Sequence, residues 1–112
     1  MERRLFPRIN ASLQLEYQAI LPGAEVSFAR PAVMKDLSMG GVYFISETAP
    51  LLQPDDIADF IFEFQPGQAN PLIPLKIEAK GKVKRVVHPA NGSSAFGIAL
   101  EFLSGPVFIY AD

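Results

Sequence analysis

The residues best suited to chemistry lie in two short stretches that do not read as strands. The first, Glu2 to Asn10 (ERRLFPRIN), carries Arg3, Arg4 and Arg8, with Arg4 and Arg8 spaced Arg-x-x-x-Arg. Guanidinium is a rigid planar fork of donors that pairs bidentately with phosphate or carboxylate oxygens, which lysine cannot imitate. Pro7 disfavours a helical conformation at Phe6 and so keeps the arginines on an extended segment. The second stretch, Asp36 to Gly41 (DLSMGG), brings together a carboxylate acceptor, a hydroxyl and glycine. Asp36 can accept from N–H donors or steady an arginine, and Ser38 can bond an anion or its own turn backbone. Gly41 and Gly40 remove side chains so that a flat group can approach the main chain.

Other constellations are poorer. There is no cysteine and one histidine, His88, so disulfides, thiolate metal sites and histidine-rich sites are excluded. No acid–base pair converges with a nucleophile, which argues against an enzyme and against any cofactor. Asp55, Asp56 and Asp59 are acidic, but no third element points at them. Lys76, Glu78, Lys80, Lys82 and Lys84 occupy every second position of one segment and read as a solvated strand face. Arg85 and His88 end that segment; both can border a ligand, though plain surface residues are the commoner explanation. A net charge of −2 argues against DNA or RNA binding, which wants a broadly basic surface, and leaves room for a small anion at a local basic cluster.

The elements that must position these groups are strands. With 112 residues, 49% of them hydrophobic, and with 10 prolines and 8 glycines, the chain suits one globular domain of short elements. Leu13, Leu15, Tyr17 and Ala19 alternate with polar residues, the period of a strand with one wet face. Ala24, Val26 and Phe28 give a second strand, which Pro31 bends or confines to an edge; Val33 and Met34 lead into the turn. Gly41–Ser46 is a third strand, Phe60 to Phe64 a fourth, Lys76–Val87 a long fifth in which Gly81 marks a bend or bulge, and Phe96–Phe102 a sixth after the hairpin signal Asn91-Gly92. Six short strands of this spacing predict an all-β protein, an antiparallel sheet curled into a barrel. Residues 107–112 are read as a short helix or a strand over one barrel mouth. The absence of a membrane span or leader suggests a cytoplasmic protein with no membrane insertion.

Arg4-x-x-x-Arg8, Asp36-x-Ser38-x-x-Gly41 and the closing FGIALEF, Phe96–Phe102, together resemble the signatures of the PilZ domain family, in order and over nearly the whole chain. The resemblance implies a six-stranded, split-barrel-type β-barrel at 11–103, a flexible ligand-binding arm at 1–10 and a tail at 104–112, all one PilZ domain over 1–112. It implies a receptor for cyclic di-GMP in bacterial second-messenger signalling, with Arg4, Arg8, Asp36, Ser38 and Gly41 as ligand residues and Arg3 as a further candidate; Gly40 and Arg85 are added as candidates by their own place in the sequence, beside the glycine of the turn and at the end of the fifth strand. In the family an arginine at the position of Arg3 goes with two stacked ligands, so two molecules per protomer are expected. An unidentified protein partner, in motility, exopolysaccharide or virulence, completes the expectation. The alternative is a degenerate adaptor of the same fold that binds only protein, in a pilus or flagellar assembly; such members usually lack the arginine pair. An oligonucleotide-binding barrel is disfavoured by the acidic balance.

Overall fold

The computed structural model describes residues 12–23, 29–47, 52–65, 74–90 and 92–110. Among them every regular element is a strand: β1 (Leu13–Ile20), β2 (Arg30–Ser38), β3 (Gly41–Ser46), β4 (Ile57–Phe64), β5 (Lys76–Val87), β6 (Phe96–Phe102) and β7 (Val107–Ile109). All pairings are antiparallel. The sheet runs β4-β1-β2-β3-β6-β5-β7, and β4 also pairs with β5, so six strands close into a barrel and β7 extends it.

Neighbours in the barrel are not always neighbours in the chain. β3 pairs with β6 and β1 with β4, so β3 and β4, successive in the chain, stand on opposite sides of the barrel. In the segment just ahead of β4, residues 52–56, Leu52 is buried among the core residues. The segment is held by two backbone bonds to β5, Asp55 N–H to the Val83 carbonyl at 2.8 Å and Val83 N–H to the Asp56 carbonyl at 2.8 Å.

Alternation builds the core. Leu13, Leu15 and Tyr17 of β1, Val42 and Phe44 of β3, Phe60 and Phe62 of β4, Ile77 and Val83 of β5 and Ile98 and Leu100 of β6 all point inward and are buried. Phe44 is the hub, 4.8 Å from the Tyr17 ring and 5.5 Å from the Phe62 ring, tilted in one case and edge-on in the other, as aromatic quadrupoles favour. One polar pair is enclosed with them. The Tyr17 hydroxyl and Ser46 Oγ lie 3.2 Å apart, so neither hydroxyl is left orphaned. Burial raises the Tyr17 pKa above the usual phenol value, with the Ser46 bond and the charge of Arg30 opposing it.

Several expectations need correction. The expected second strand, Ala24 to Phe28, lies outside the described residues. Val33 and Met34, read as leading into the turn, and Asp36, read as its first residue, belong instead to β2, which also takes in Pro31. Proline is tolerated there because β3 reaches only to Ala32, leaving Pro31 opposite Glu16 of β1 alone. The irregularity in β5 falls at Lys84, not Gly81. Gly81 is instead a close-approach site, where a Cβ would stand 3.2 Å from the Phe60 ring. Of the helix and the strand considered for the tail, the strand is the one found, β7 at Val107–Ile109 paired with β5, with Phe108 packed on the core and Val107 and Ile109 exposed. Among the described residues no helix is long and apolar enough to cross a membrane.

Candidate functional site

The stretch Asp36 to Gly41 is the tip of the β2–β3 hairpin. Ser38 pairs with Gly41, so the turn proper is only Met39-Gly40. The turn is tied down on both sides. Gly40 N–H donates to Ser38 Oγ at 3.3 Å, and the Gly40 carbonyl accepts from Phe102 N–H of β6 at 2.9 Å. Ser38 Oγ therefore acts as acceptor for the turn while its own proton stays available for a further acceptor.

The two glycines differ. A Cβ at Gly41 would collide with the Leu100 carbonyl oxygen, with the carbonyl carbon at 3.3 Å. The room left by its missing side chain is filled by β6 and not by open space. At Gly40 the nearest atom to such a Cβ is Ser38 Oγ at 4.0 Å. Gly40 is thus the glycine with open space beside it, although it is the one the sequence pattern weighs less.

Asp36 reaches this surface because β2 is bulged. Met34 pairs with Phe44 and Asp36 with Tyr43, so Lys35 is an extra residue. Strict alternation from inward-facing Met34 would turn Asp36 into the core. The inserted residue shifts the phase, so that Asp36 and Ser38 flank buried Leu37 and share the outer face. Lys35 itself donates to Ser12 Oγ at 2.8 Å.

A second bulge does the same on β5. Val83 pairs with Leu100 and Arg85 with Ala99, with Lys84 inserted. Inward-facing Val83 is then followed by two exposed residues, Lys84 and Arg85. The registers of three ladders now connect: Asp36 lies opposite Tyr43, Tyr43 opposite Ala99, and Ala99 opposite Arg85. The next row reads Ser38, Gly41, Glu101 and Lys82. Asp36 and Arg85 therefore stand at the two ends of one row crossing β2, β3, β6 and β5, about 14 Å apart at ~4.8 Å per strand.

His88, also considered from sequence, packs edge-on against the Phe96 ring at 5.7 Å. Arg3, Arg4 and Arg8 lie outside the described residues. Tyr43, not singled out from the sequence, is the residue the registers place between Asp36 and Ala99. Sequence reasoning also missed the bulge in β2 and placed the irregularity of β5 at Gly81 instead of Lys84. No group of three or more potential metal ligands occurs among the described residues.

Comparison with known proteins agrees with this architecture. The family model described as PilZ domain matches residues 2–107. Among solved structures, the Bacillus subtilis inhibitor of motility, MotI/DgrA, is similar with a TM-score of 0.57 and 19% sequence identity. That alignment covers 94% of this chain and 44% of that one, so the chain spans less than half the length of the similar structure. No curated protein matches.

Proposed function

The chain belongs to the PilZ domain family, and from that membership we propose that it is a receptor for cyclic di-GMP whose ligand lies on the outer face of the β2–β3 hairpin. Cyclic di-GMP is a ring with two phosphates and two guanines, so it needs cations for the first and directional acceptors for the second. Arg4 and Arg8 supply guanidinium forks from the segment ahead of β1. Asp36 accepts from guanine N–H groups or orients an arginine, Ser38 donates its remaining proton, and the open side of Gly40 admits a base. Gly41 serves the same site by letting β6 close against the hairpin. The observation that supports this reading most directly is the Lys35 bulge, which turns Asp36 from the core to the same outer face as Ser38.

Two ligands per protomer, stacked on one another, are the stoichiometry proposed from Arg3. Engagement of Arg4 and Arg8 by the ligand then changes the surface that a protein partner meets, which is how binding becomes regulation. The proposed setting is the bacterial cytoplasm, and the controlled process is motility, exopolysaccharide or virulence, the first being the process after which the similar structure is named. The chain is proposed to act as receptor or adaptor and not as an enzyme.

Calorimetric titration tests the proposal. A micromolar complex corresponds to about 8 kcal/mol, more than two charged hydrogen bonds of ~1.5–3 kcal/mol each supply, so stacking must contribute. The expected result is saturable binding with two ligands per protomer, and a loss of ~2–5 kcal/mol in Arg8→Ala. Wild-type affinity in that variant contradicts the arginine assignment. A stoichiometry of one removes the stacked pair while leaving the receptor.

A further inference from the structure

Two side chains outside both motifs stand on the same row as Asp36. Tyr43 is its register partner on β3, and Arg85 closes the row on β5. We propose that both contact the ligand, Tyr43 as the surface on which a guanine stacks and Arg85 as the cation that receives the far side of the nucleotide. The inference rests on the cyclic di-GMP reading and extends it from the hairpin tip across the barrel wall.

The shape of the wall carries the argument. On β6 the row holds Ala99, and the next outward position along the strand, opposite Ile45 and Val87, is Gly97, so small residues separate β3 from β5 on this face. A Cβ at Gly97 would collide with the Tyr43 hydroxyl oxygen and stand 2.8 Å from its Cζ and 3.2 Å from Cε1. The Tyr43 ring therefore reaches sideways across Gly97 instead of standing away from the sheet. Gly97 is buried while Tyr43 is half-buried, as expected for a ring with one side on the backbone and the other towards solvent. An aromatic surface held in this way stacks on a base with little ordering cost.

Arg85 differs from its neighbours on β5. Lys82 lies 3.6 Å from Asp55, and Lys84 lies 3.6 Å from Glu101. Arg85, exposed, makes no such ion pair with the described residues. It is also the residue that the Lys84 insertion re-aims, just as the Lys35 insertion re-aims Asp36. Two bulges on strands at opposite ends of one row, each turning a polar group onto the same face, fit a ligand that spans the row.

The experiment compares cyclic di-GMP titrations of the whole chain in wild type, Tyr43→Leu, Arg85→Gln and Arg8→Ala, with a thermal melt of each. Tyr43→Leu is expected to weaken binding about 5- to 150-fold, the range that base–aromatic stacking supplies, with the melt unchanged. Arg85→Gln is expected to weaken it about 10-fold and to lower its salt dependence, as loss of one phosphate contact does. Gly97→Ala, which pushes the ring aside, should weaken wild type but add nothing to Tyr43→Leu. Variants at Tyr43 and Arg85 that bind within about twofold of wild type, while Arg8→Ala loses affinity, overturn this inference and leave the receptor reading standing. A wild-type chain that does not bind overturns the receptor reading itself.

Discussion

The inner and outer faces of β3 are made from alternate residues of one six-residue strand, yet they are shaped by different rules. Inward, Val42, Phe44 and Ser46 are at most 5% exposed and meet side chains from across the barrel. Outward, Tyr43 and Ile45 lie opposite Ala99 and Gly97, residues with almost nothing to pack. The inner face follows from volume: each position is apolar or, in Ser46, paired. The outer face follows from register, because bulges at Lys35 and Lys84 decide which polar groups arrive there. A packed face resists change by losing stability, whereas a face built by register changes function while the fold survives.

Phe44→Ala should have the largest effect, destabilising the barrel by about 3–5 kcal/mol in urea or guanidinium unfolding, since it empties the aromatic hub. A loss below about 1 kcal/mol would mean that the inner face tolerates a large cavity and that the contrast is false. Next comes the glycine pair. Gly41→Ala drives a methyl into the Leu100 carbonyl and should cost about 1–3 kcal/mol, whereas Gly40→Ala should stay within about 0.5 kcal/mol. The reverse order in denaturant titrations would break the assignment of Gly41 to strand packing.

The enclosed hydroxyl pair sharpens the comparison through pH. The folded state holds the Tyr17 proton more tightly than the unfolded chain does, because burial disfavours the phenolate. Its contribution is intact below about pH 10, where the unfolded phenol titrates, and is lost as pH rises from there towards the higher folded pKa. Unfolding titrations between about pH 9 and 12 should show this fall in wild type and a smaller one in Tyr17→Phe; equal slopes would contradict it. The smallest effect belongs to the exposed outer ion pairs. Lys84→Ala should change stability by under about 0.5 kcal/mol in the same assay, since the Lys84 to Glu101 contact at 3.6 Å is solvated.

The inner face is legible in the sequence. Leu13, Leu15 and Tyr17, or Phe60, Phe62 and Phe64, announce their strand by a period of two, and the barrel follows from packing such strands without an open edge. β3 is readable to its end residues because GVYFIS is bounded by glycine and by the polar run after Ser46. The outer face is less legible, since it depends on one inserted residue in each of two strands. At Lys35 and Lys84 the inserted residue is a polar one beside another polar one, so nothing in residue type marks it as the extra residue. β2 is hard to place for a different reason: its apolar residues Ala32, Met34 and Leu37 skip a step at the bulge and no longer alternate. The hairpin tip is identifiable from residue types alone. The division of labour between Gly40 and Gly41 is not, because it depends on where β6 passes.

Amide and side-chain chemical shifts recorded while cyclic di-GMP is added test the central claim most directly. The largest changes should fall on Asp36, Ser38, Met39 and Gly40 and continue to Tyr43 and Arg85, with Tyr17, Phe44 and Phe62 nearly still. Shifts absent from the β2–β3 hairpin at saturating nucleotide, or concentrated on the β7 side of the barrel, would contradict the account.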